Sequence, residues 1–303
     1  MSFLVTGAGG QLGSVVLRRL ARAGRRAFGI ASPRGPLPGE GNSVRLDVSN
    51  LRDMTELVLR GLPQVVVHTA AVPSVAAAYA DPELARRVNA SAALELAELS
   101  ARIGARFVHV STDMVFDGEE APYSEGDAPA PLSEYGRSKY EGEKAVLSVR
   151  GTLVVRLPLL YGIPAAARST PFVDQIRALV EGTPLELFHD EVRTPLWLED
   201  AAQALIVAAE SDLVGILHAG GSERLSRLDM GLRLAAALGI RAPTILRASR
   251  RDASAPEPRA RDLSLDSTKY QSVFGAAPGR PMTEALAQMR REIDELRTSA
   301  GTP

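Results

Sequence analysis

Short β-branched runs alternating with longer helical patterns through the first half of the chain predict an α/β fold, a doubly wound parallel sheet with crossover helices. Several of the runs are almost continuously apolar, as strands covered on both faces must be. The first of them passes directly into a glycine-rich turn and an amphipathic helix. The chain is long enough for such a body. Its 303 residues, 45% hydrophobic and 23% charged, predict one large α/β unit, or one domain with a smaller cap, rather than a disordered segment.

Strands are expected at Phe3–Thr6, Ala27–Ala31, Ser43–Leu46, Val65–His68, Arg106–Ser111 and Thr152–Leu157. Between them, helical patterns cover Gln11–Ala23, Leu51–Arg60, Pro82–Ile103 and Ser133–Val149. The third helix has a marked start: Asp81 is placed to cap its free amides, Pro82 suits the first helical position, and Glu83 favours the positive end. Past residue 160 the elements shorten and Pro and Arg increase. Helices are expected at Pro171–Glu181, Ala201–Ser211, Arg227–Leu238 and Met282–Arg297, and short strands at Leu185–Phe188 and Ile216–Ala219. Ser249–Arg261, rich in Pro, Arg and Ala, reads as a loop or mobile arm, and Asp200 as a helix cap. The chain therefore divides into residues 1–160, with later segments able to return to that domain, and a smaller C-terminal α/β part at 161–303. No long linker separates them, so they are expected to pack as one body.

Composition excludes several function classes. A formal charge of -1 gives no global cationic field, so neither nucleic acid nor a membrane surface is an expected partner. With no cysteine, disulfides, thiolate metal sites and cysteine nucleophiles all drop out. No apolar run reaches the roughly 18 residues that span a bilayer. The opening Ser2-Phe3-Leu4-Val5-Thr6-Gly7 reads as a strand start rather than a signal peptide, which makes a cytoplasmic location the expectation. His68, His109, His189 and His218 are too scattered for metal-ligand spacing, so no metal is expected. No Gly-x-Ser-x-Gly elbow supports a hydrolase.

The turn after the first strand places Gly7, Gly10 and Gly13 at G-x-x-G-x-x-G spacing, with Gln11 and Leu12 opening the helix. A strand, a glycine turn and a helix in that order form a dinucleotide-binding unit. Gly7 permits the tight turn, Gly10 lets backbone approach a pyrophosphate, and Gly13 lets the helix pack close to the sheet. Free amides at the helix start then face the anion. This makes the fold Rossmann-type, with the first domain holding the cofactor and the C-terminal part mainly the substrate. The second strand continues as Ser32-Pro33-Arg34, with no carboxylate before Glu40 to take a ribose 2′-hydroxyl. Ser32 and Arg34 suit a 2′-phosphate instead, which favours NADP(H) over NAD, although a solvated loop arginine reads the same way.

Tyr135 and Lys139 stand four residues apart, on one helix face with Cβ atoms about 5–6 Å apart. Only three of the 35 cationic side chains are lysine, so a lysine at this spacing stands out. A neighbouring ammonium is expected to draw the phenol's pKa down from about 10, making Tyr135 a general acid or base for a carbonyl/alcohol pair. Ser111 and Thr112 end the fifth strand at the edge where such sheets bind ligands, where either hydroxyl could orient a substrate oxygen. His109 in that strand and His68 in its neighbour are expected to pack in the core or beside the cofactor.

With these residues in place the chain resembles the extended short-chain dehydrogenase/reductase family. The resemblance rests on Gly7-x-x-Gly10-x-x-Gly13, Leu46-Asp47-Val48, Thr69-Ala70-Ala71, Ser111-Thr112-Asp113 and Tyr135-x-x-x-Lys139. Within the family it is similar to the dTDP-4-dehydrorhamnose reductase branch, through Gly9–Gly13, Ser111–Gly118, and Tyr135–Lys139 followed by Gly142-Glu143. Weaker likenesses follow at Arg193–Trp197 with Asp200, and at Arg261–Asp266. The resemblance implies Thr112, Tyr135 and Lys139 as the catalytic trio, with Tyr135 protonating a carbonyl oxygen as hydride arrives from NAD(P)H. It implies that Lys139 binds the nicotinamide ribose, Asp47 and Val48 contact adenine, Ala70, Ala71 and Val72 line the cofactor path, and Pro158 lies near the nicotinamide. A nucleotide-linked sugar is the implied substrate, and a homodimer is a possible assembly.

Two departures bear on activity. Met114 stands where the nearest relatives commonly carry tyrosine, and it removes the Asp-Glu pair that sugar-nucleotide dehydratases use. The segment Ile163–Phe172 carries Ala165-Ala166-Ala167 and few groups to grip a diphosphate, a task left to Arg168 and Arg193, both of which read equally as surface arginines. Three readings stay open: a keto-sugar-nucleotide reductase, an epimerase that keeps its NAD, and a non-enzymatic partner like the regulatory subunit of methionine adenosyltransferase.

Overall fold

The computed structural model describes residues 1–38, 42–166 and 169–300. Its first half runs β1 (Ser2–Thr6), α1 (Gln11–Arg22), β2 (Arg26–Ala31), β3 (Asn42–Arg45), α2 (Leu51–Gly61), β4 (Val65–His68), α3 (Val75–Ala80), α4 (Pro82–Arg86), α5 (Ala92–Arg102), β5 (Arg106–Thr112), α6 (Glu134–Leu147) and β6 (Leu153–Leu157). The second half runs β7 (Leu160–Tyr161), α7 (Pro171–Glu181), β8 (Leu185–Phe188), β9 (Val192–Arg193), β10 (Leu196–Trp197), α8 (Leu198–Ala209), β11 (Gly215–His218), β12 (Leu225–Ser226), α9 (Arg227–Ala237), β13 (Ile245–Ala248), α10 (Thr268–Phe274), α11 (Met282–Gln288) and α12 (Arg290–Ala300).

Seven strands form one parallel sheet in the order β11-β6-β5-β4-β1-β2-β3. The doubly wound fold expected from the sequence is the one observed. β11, from the second half, joins this sheet beside β6, pairing Ile216 with Val154 and Leu217 with Val155. Side chains alternate across the pleat, and both faces are dry. Val5, Val67, Val108 and Val155 point into the cluster under α1 and α8. Leu4, Val66, Phe107 and Val154 point into the cluster under α2 and α5. That two-sided burial is why the strands read as continuous apolar runs.

The long third helix is interrupted. Asp81 caps it through the amide of Leu84 at 2.9 Å, as expected. The helix then widens into a π turn at Arg87–Ser91 between α4 and α5, and the fully buried Asn89 lies in that turn. The expected helix over Met282–Arg297 likewise breaks at Met289 into α11 and α12. Asp200 does not cap a helix: it sits within α8 and accepts from the backbone and guanidinium of Arg280. Ser249–Arg261 has no regular structure. It is tethered rather than free, for Glu257 accepts from the amide of Glu134 at 2.7 Å and Arg259 pairs with Glu191. Among the described residues no helix is long and apolar enough to cross a membrane, and no group of three His, Asp or Glu is placed to hold a metal ion.

Beneath α6 lies a buried ion pair. Glu143 and Arg156 are each 1% exposed and joined by two hydrogen bonds of 2.9 and 2.7 Å, while His218 Nε2 lies 3.2 Å from the guanidinium. Removing one partner strands a charge in the core. Glu143→Leu is therefore expected to lose about 3–5 kcal/mol in urea unfolding, whereas Glu143→Leu combined with Arg156→Met should recover most of that loss.

Candidate active site

The carboxyl ends of β1, β4, β5 and β6 open onto one edge of the sheet, and the strand order reverses between β1 and β4. Such a switch point leaves a crevice for a ligand. Thr69, just past β4, donates its hydroxyl to the carbonyl of Thr6 at 2.7 Å, and the amide of Ala8 bonds to Ile30 at the end of β2. The glycine turn is thus tied to the strand tips on both sides.

The turn fits a dinucleotide pyrophosphate. Gly7 has φ +70°, and a Cβ there would lie 2.7 Å from Thr69 Oγ1. At Gly13 a Cβ would run into the carbonyl oxygen of Gly7, so only glycine lets α1 start this close to the strand. Gly10, the N-cap of α1, offers no side chain to the first-turn amides, which leaves them for an anion. Gln11 and the buried Leu12 open that helix.

The other cofactor candidates lie around the same edge. Ala70 and Ala71 follow β4, with the amide of Ala70 bonded to Thr6 Oγ1 at 3.3 Å. Val72 is held by Asn89, whose side chain accepts from its amide at 2.8 Å and donates to its carbonyl at 3.3 Å. Pro158 is buried directly after β6. Ser32 and Arg34 are exposed beyond β2, where Arg45 Nε also reaches the carbonyl of Gly35 at 3.1 Å. Asp47 is exposed and accepts from the amide and hydroxyl of Ser49, and Val48 packs against the α2-side core. Glu40 and Arg168 fall outside the described residues.

Tyr135 and Lys139 project from the first turns of α6. Ser133 caps that helix through the amide of Gly136 at 3.1 Å. A Cβ at Gly136 would strike the carbonyl oxygen of Met114, so this glycine sets how closely α6 docks on the turn after β5. The docking brings the half-buried Tyr135 close enough to Thr112 for that hydroxyl to favour the ionised phenol. Thr112 Oγ1 also donates to Asp113 Oδ1 at 3.0 Å, and Ser111 Oγ is buried without a partner. Lys139 is 2% exposed, and its Nζ donates to Val110 O at 2.7 Å and lies 3.3 Å from His109 Nε2.

This geometry corrects the expected direction of the tyrosine shift. Burial, reinforced by the negative Asp113, pushes the Tyr135 phenol up to about 12, with the Thr112 hydrogen bond opposing. The lysine does not offset this, because its ammonium is bonded to the β5 backbone. Burial in turn pulls Lys139 down to about 8, against the pull of Glu143. The resting phenol therefore holds its proton, which suits an acid rather than a preformed phenolate.

Four contributing residues were missed or left undefined by sequence reasoning. Asn89 joins the Val72 loop to α6 by donating to Ser138 Oγ at 2.9 Å; an Asn inside an apolar helical stretch was the available signal. His109 contacts the lysine amine. Asp113 is buried, and burial pushes it up to about 6 against the pull of Arg193, whose Nε lies 3.3 Å from Oδ2. Arg193 is itself buried, not a surface arginine, and shares Glu191 with Arg227 and Arg259. Burial pushes Glu191 up, but those three guanidiniums hold it below the ordinary carboxylate range.

Residues 1–295 match the RmlD substrate binding domain family. The chain is 32% identical over 292 residues to a dTDP-4-dehydrorhamnose reductase of Mycobacterium tuberculosis, covering 94% of this chain and 90% of that protein. It is 31% identical over 247 residues to the methionine adenosyltransferase 2 subunit beta of Rattus norvegicus, covering 78% of this chain and 72% of that one. Among solved structures, MoeE5 in complex with UDP-glucose and NAD superposes with a TM-score of 0.83 at 27% identity, over 99% of both chains.

Asp113 has a measurable consequence. Its carboxyl binds a proton more tightly folded than unfolded, so its contribution to stability is fullest below the unfolded value of 3.8 and is lost as pH rises toward about 6. Urea midpoints followed across that window should show the loss in the native protein and not in Asp113→Asn; parallel curves would contradict it.

Proposed function

The chain belongs to the RmlD substrate binding domain family, an extended short-chain dehydrogenase/reductase lineage, and from that premise we propose that it is an NAD(P)H-dependent reductase of a keto sugar nucleotide. The observation that carries this reading is the docking of α6 on the turn after β5, which sets Tyr135 beside Thr112 at the sheet edge that the glycine turn also borders. Gly7, Gly10, Gln11, Leu12 and Gly13 would hold the cofactor's pyrophosphate, Asp47 and Val48 its adenine, and Ala70, Ala71, Val72 and Pro158 would line its path. A reduced nicotinamide held there would supply hydride to the substrate's carbonyl carbon.

Thr112 orients the carbonyl oxygen beside the phenol. As negative charge grows on that oxygen, the O–H bond of Tyr135 breaks and a new O–H bond forms on the substrate, leaving an alcohol and a phenolate. Lys139, its ammonium anchored on β5, would hold the nicotinamide ribose, and solvent returns the proton before the next turnover. Three guanidiniums, Arg193, Arg227 and Arg259, stand against two carboxyls, Glu191 and Asp113, and one of those carboxyls is partly protonated near neutrality. That surplus of positive charge supports an anionic substrate such as a nucleotide-linked sugar.

Turnover on a panel of nucleotide-linked 4-keto sugars, followed as NADPH oxidation, tests the assignment. Tyr135→Phe should lower the rate by at least about 10²-fold while leaving cofactor binding intact. Near-normal turnover by that variant would overturn the reading. Interconversion of sugars without net NADPH oxidation would point to an epimerase. Cofactor binding with no turnover, and stable pairing with a methionine adenosyltransferase, would favour the role suggested by the rat relative.

We further propose NADPH as the preferred cofactor, since Ser32, Arg34 and Arg45 gather beyond β2. Arg34→Ala should narrow the NADPH-over-NADH preference in kcat/KM by about tenfold, the scale of one lost charge-assisted hydrogen bond.

A further inference from the structure

We propose that His109 is a positioning residue for Lys139, its neutral imidazole fixing the direction of the lysine amine from within β5. This inference rests on the catalytic assignment above, and it extends that assignment to a buried side chain with no other evident task.

The local geometry is specific. His109 is fully buried, and its Nε2 lies 3.3 Å from Lys139 Nζ. The next residue in the strand, Val110, presents its carbonyl to the same nitrogen at 2.7 Å. An ammonium has three hydrogens and no acceptor capacity. Two are taken from β5, one by a carbonyl and one by an imidazole lone pair, so one is left that β5 does not take. With only the carbonyl, the flexible four-carbon stem would let the head group pivot about a single bond.

The unpaired atoms point the same way. For Nε2 to accept from the ammonium, the ring proton must sit on Nδ1, and His109 Nδ1 has no partner among the described residues. A buried unpaired N–H is destabilising, and an apolar ring would fill the space without that cost. The imidazole therefore makes its one polar contact with the catalytic lysine and leaves its other nitrogen unsatisfied.

The neighbourhood keeps this ring neutral. Burial, with the positive charge of Lys139 second, holds His109 well below its ordinary value. His68, stacked on it with centroids 5.4 Å apart, is pulled down to about 3 by the same two causes. The Thr6 hydroxyl lies 2.8 Å from His68 Nδ1. From α6 itself, Glu143 acts on the lysine but is committed to Arg156, and Tyr135 stands one turn before it, itself acted on by Asp113 from the turn after β5. Neither histidine gains charge in the working range, so neither repels the ammonium. When Lys139 loses its proton the ring can shift to its other tautomer and donate, so the contact persists.

The chain contains three lysines, which makes a direct test practical. Trace acetylation with acetic anhydride between pH 6 and 10, read by mass spectrometry, gives the titration midpoint of Lys139, with Lys144 and Lys269 as internal controls. A neutral acceptor favours the charged amine, so His109→Phe should lower the Lys139 midpoint by about one pH unit, a tenfold gain in free amine at fixed pH. His109→Gln, which keeps an acceptor, should restore the midpoint most of the way. His109→Leu gives the same readout if the phenyl ring is not accommodated. In turnover assays the alkaline limb should move with the midpoint, with kcat reduced more than KM. An unmoved Lys139 midpoint in both apolar variants, or a glutamine variant that behaves like them, would overturn the proposal. Labelling needs no turnover, so the two readings separate. A shifted lysine in a protein that reduces no keto sugar leaves the positioning and removes the catalytic assignment, and an unmoved lysine in an active reductase does the reverse.

Discussion

Keeping one ammonium dry at the carboxyl edge of the sheet is the constraint on which the site depends. Lys139 is almost wholly buried, and an unpaired charge there would be prohibitive. Its accommodation requires the register of β5, which presents Val110 O and His109 Nε2 side by side, and the approach of α6, which Gly136 permits over the Met114 carbonyl. That approach also decides where Tyr135 lies. The burial that pulls the amine down pushes the phenol up, so two groups whose ordinary values nearly coincide are driven apart. Environments that shift neighbouring groups in opposite senses mark an acid and its partner, and here the phenol carries the proton.

Much of this was legible where the information is local. The apolar strand runs, the glycine turn and the Tyr135-x-x-x-Lys139 spacing each depend on residues within a few positions, and each occurs as read. Six strands of the parallel sheet followed from the alternation of short apolar runs and amphipathic stretches, whereas the seventh, β11, was read only as a short strand of the second half. The direction of the tyrosine shift did not follow. Spacing four places two side chains on one helix face, but it does not say whether the ammonium turns to its helix neighbour or to a strand beneath. Here it turns to β5, and burial then governs the phenol.

Other features were hidden because they exist only once distant segments meet. β7, β9, β10 and β12 are two residues each, too short to show any periodicity, and they form because a partner strand is already in place. The π turn at Arg87–Ser91 carries Asn89 inward to the Val72 backbone and Ser138, contacts 17 and 49 positions away along the chain. Asp200 looked like a cap because acidic residues near helix starts usually are. Its partner Arg280, 80 positions on, was invisible from that end.

The second half of the chain reaches the site through charge as well as through the apolar packing of Ala260, Leu263 and Leu265 on Val115 and Phe116. Asp113 follows β5, Arg193 lies in β9, Arg227 opens α9, and Arg259 comes from the long loop that also caps α6 through Glu257. The apolar contacts offer nothing to a charged ligand. A network of guanidiniums around one buried carboxylate instead leaves donors that differ in how firmly they are held: Arg259 lies at 2.7 Å from Glu191, whereas Arg193 is 3.7 Å away and divided between Glu191 and Asp113. Protonation of Asp113 loosens that hold further, because a neutral carboxyl attracts a cation far less than a carboxylate does. Arg193, anchored by its 2.7 Å bond to Val192 O, thus holds its two carboxylates only loosely, an arrangement that lets an incoming anion join the partners of a fixed guanidinium rather than compete with a closed salt bridge.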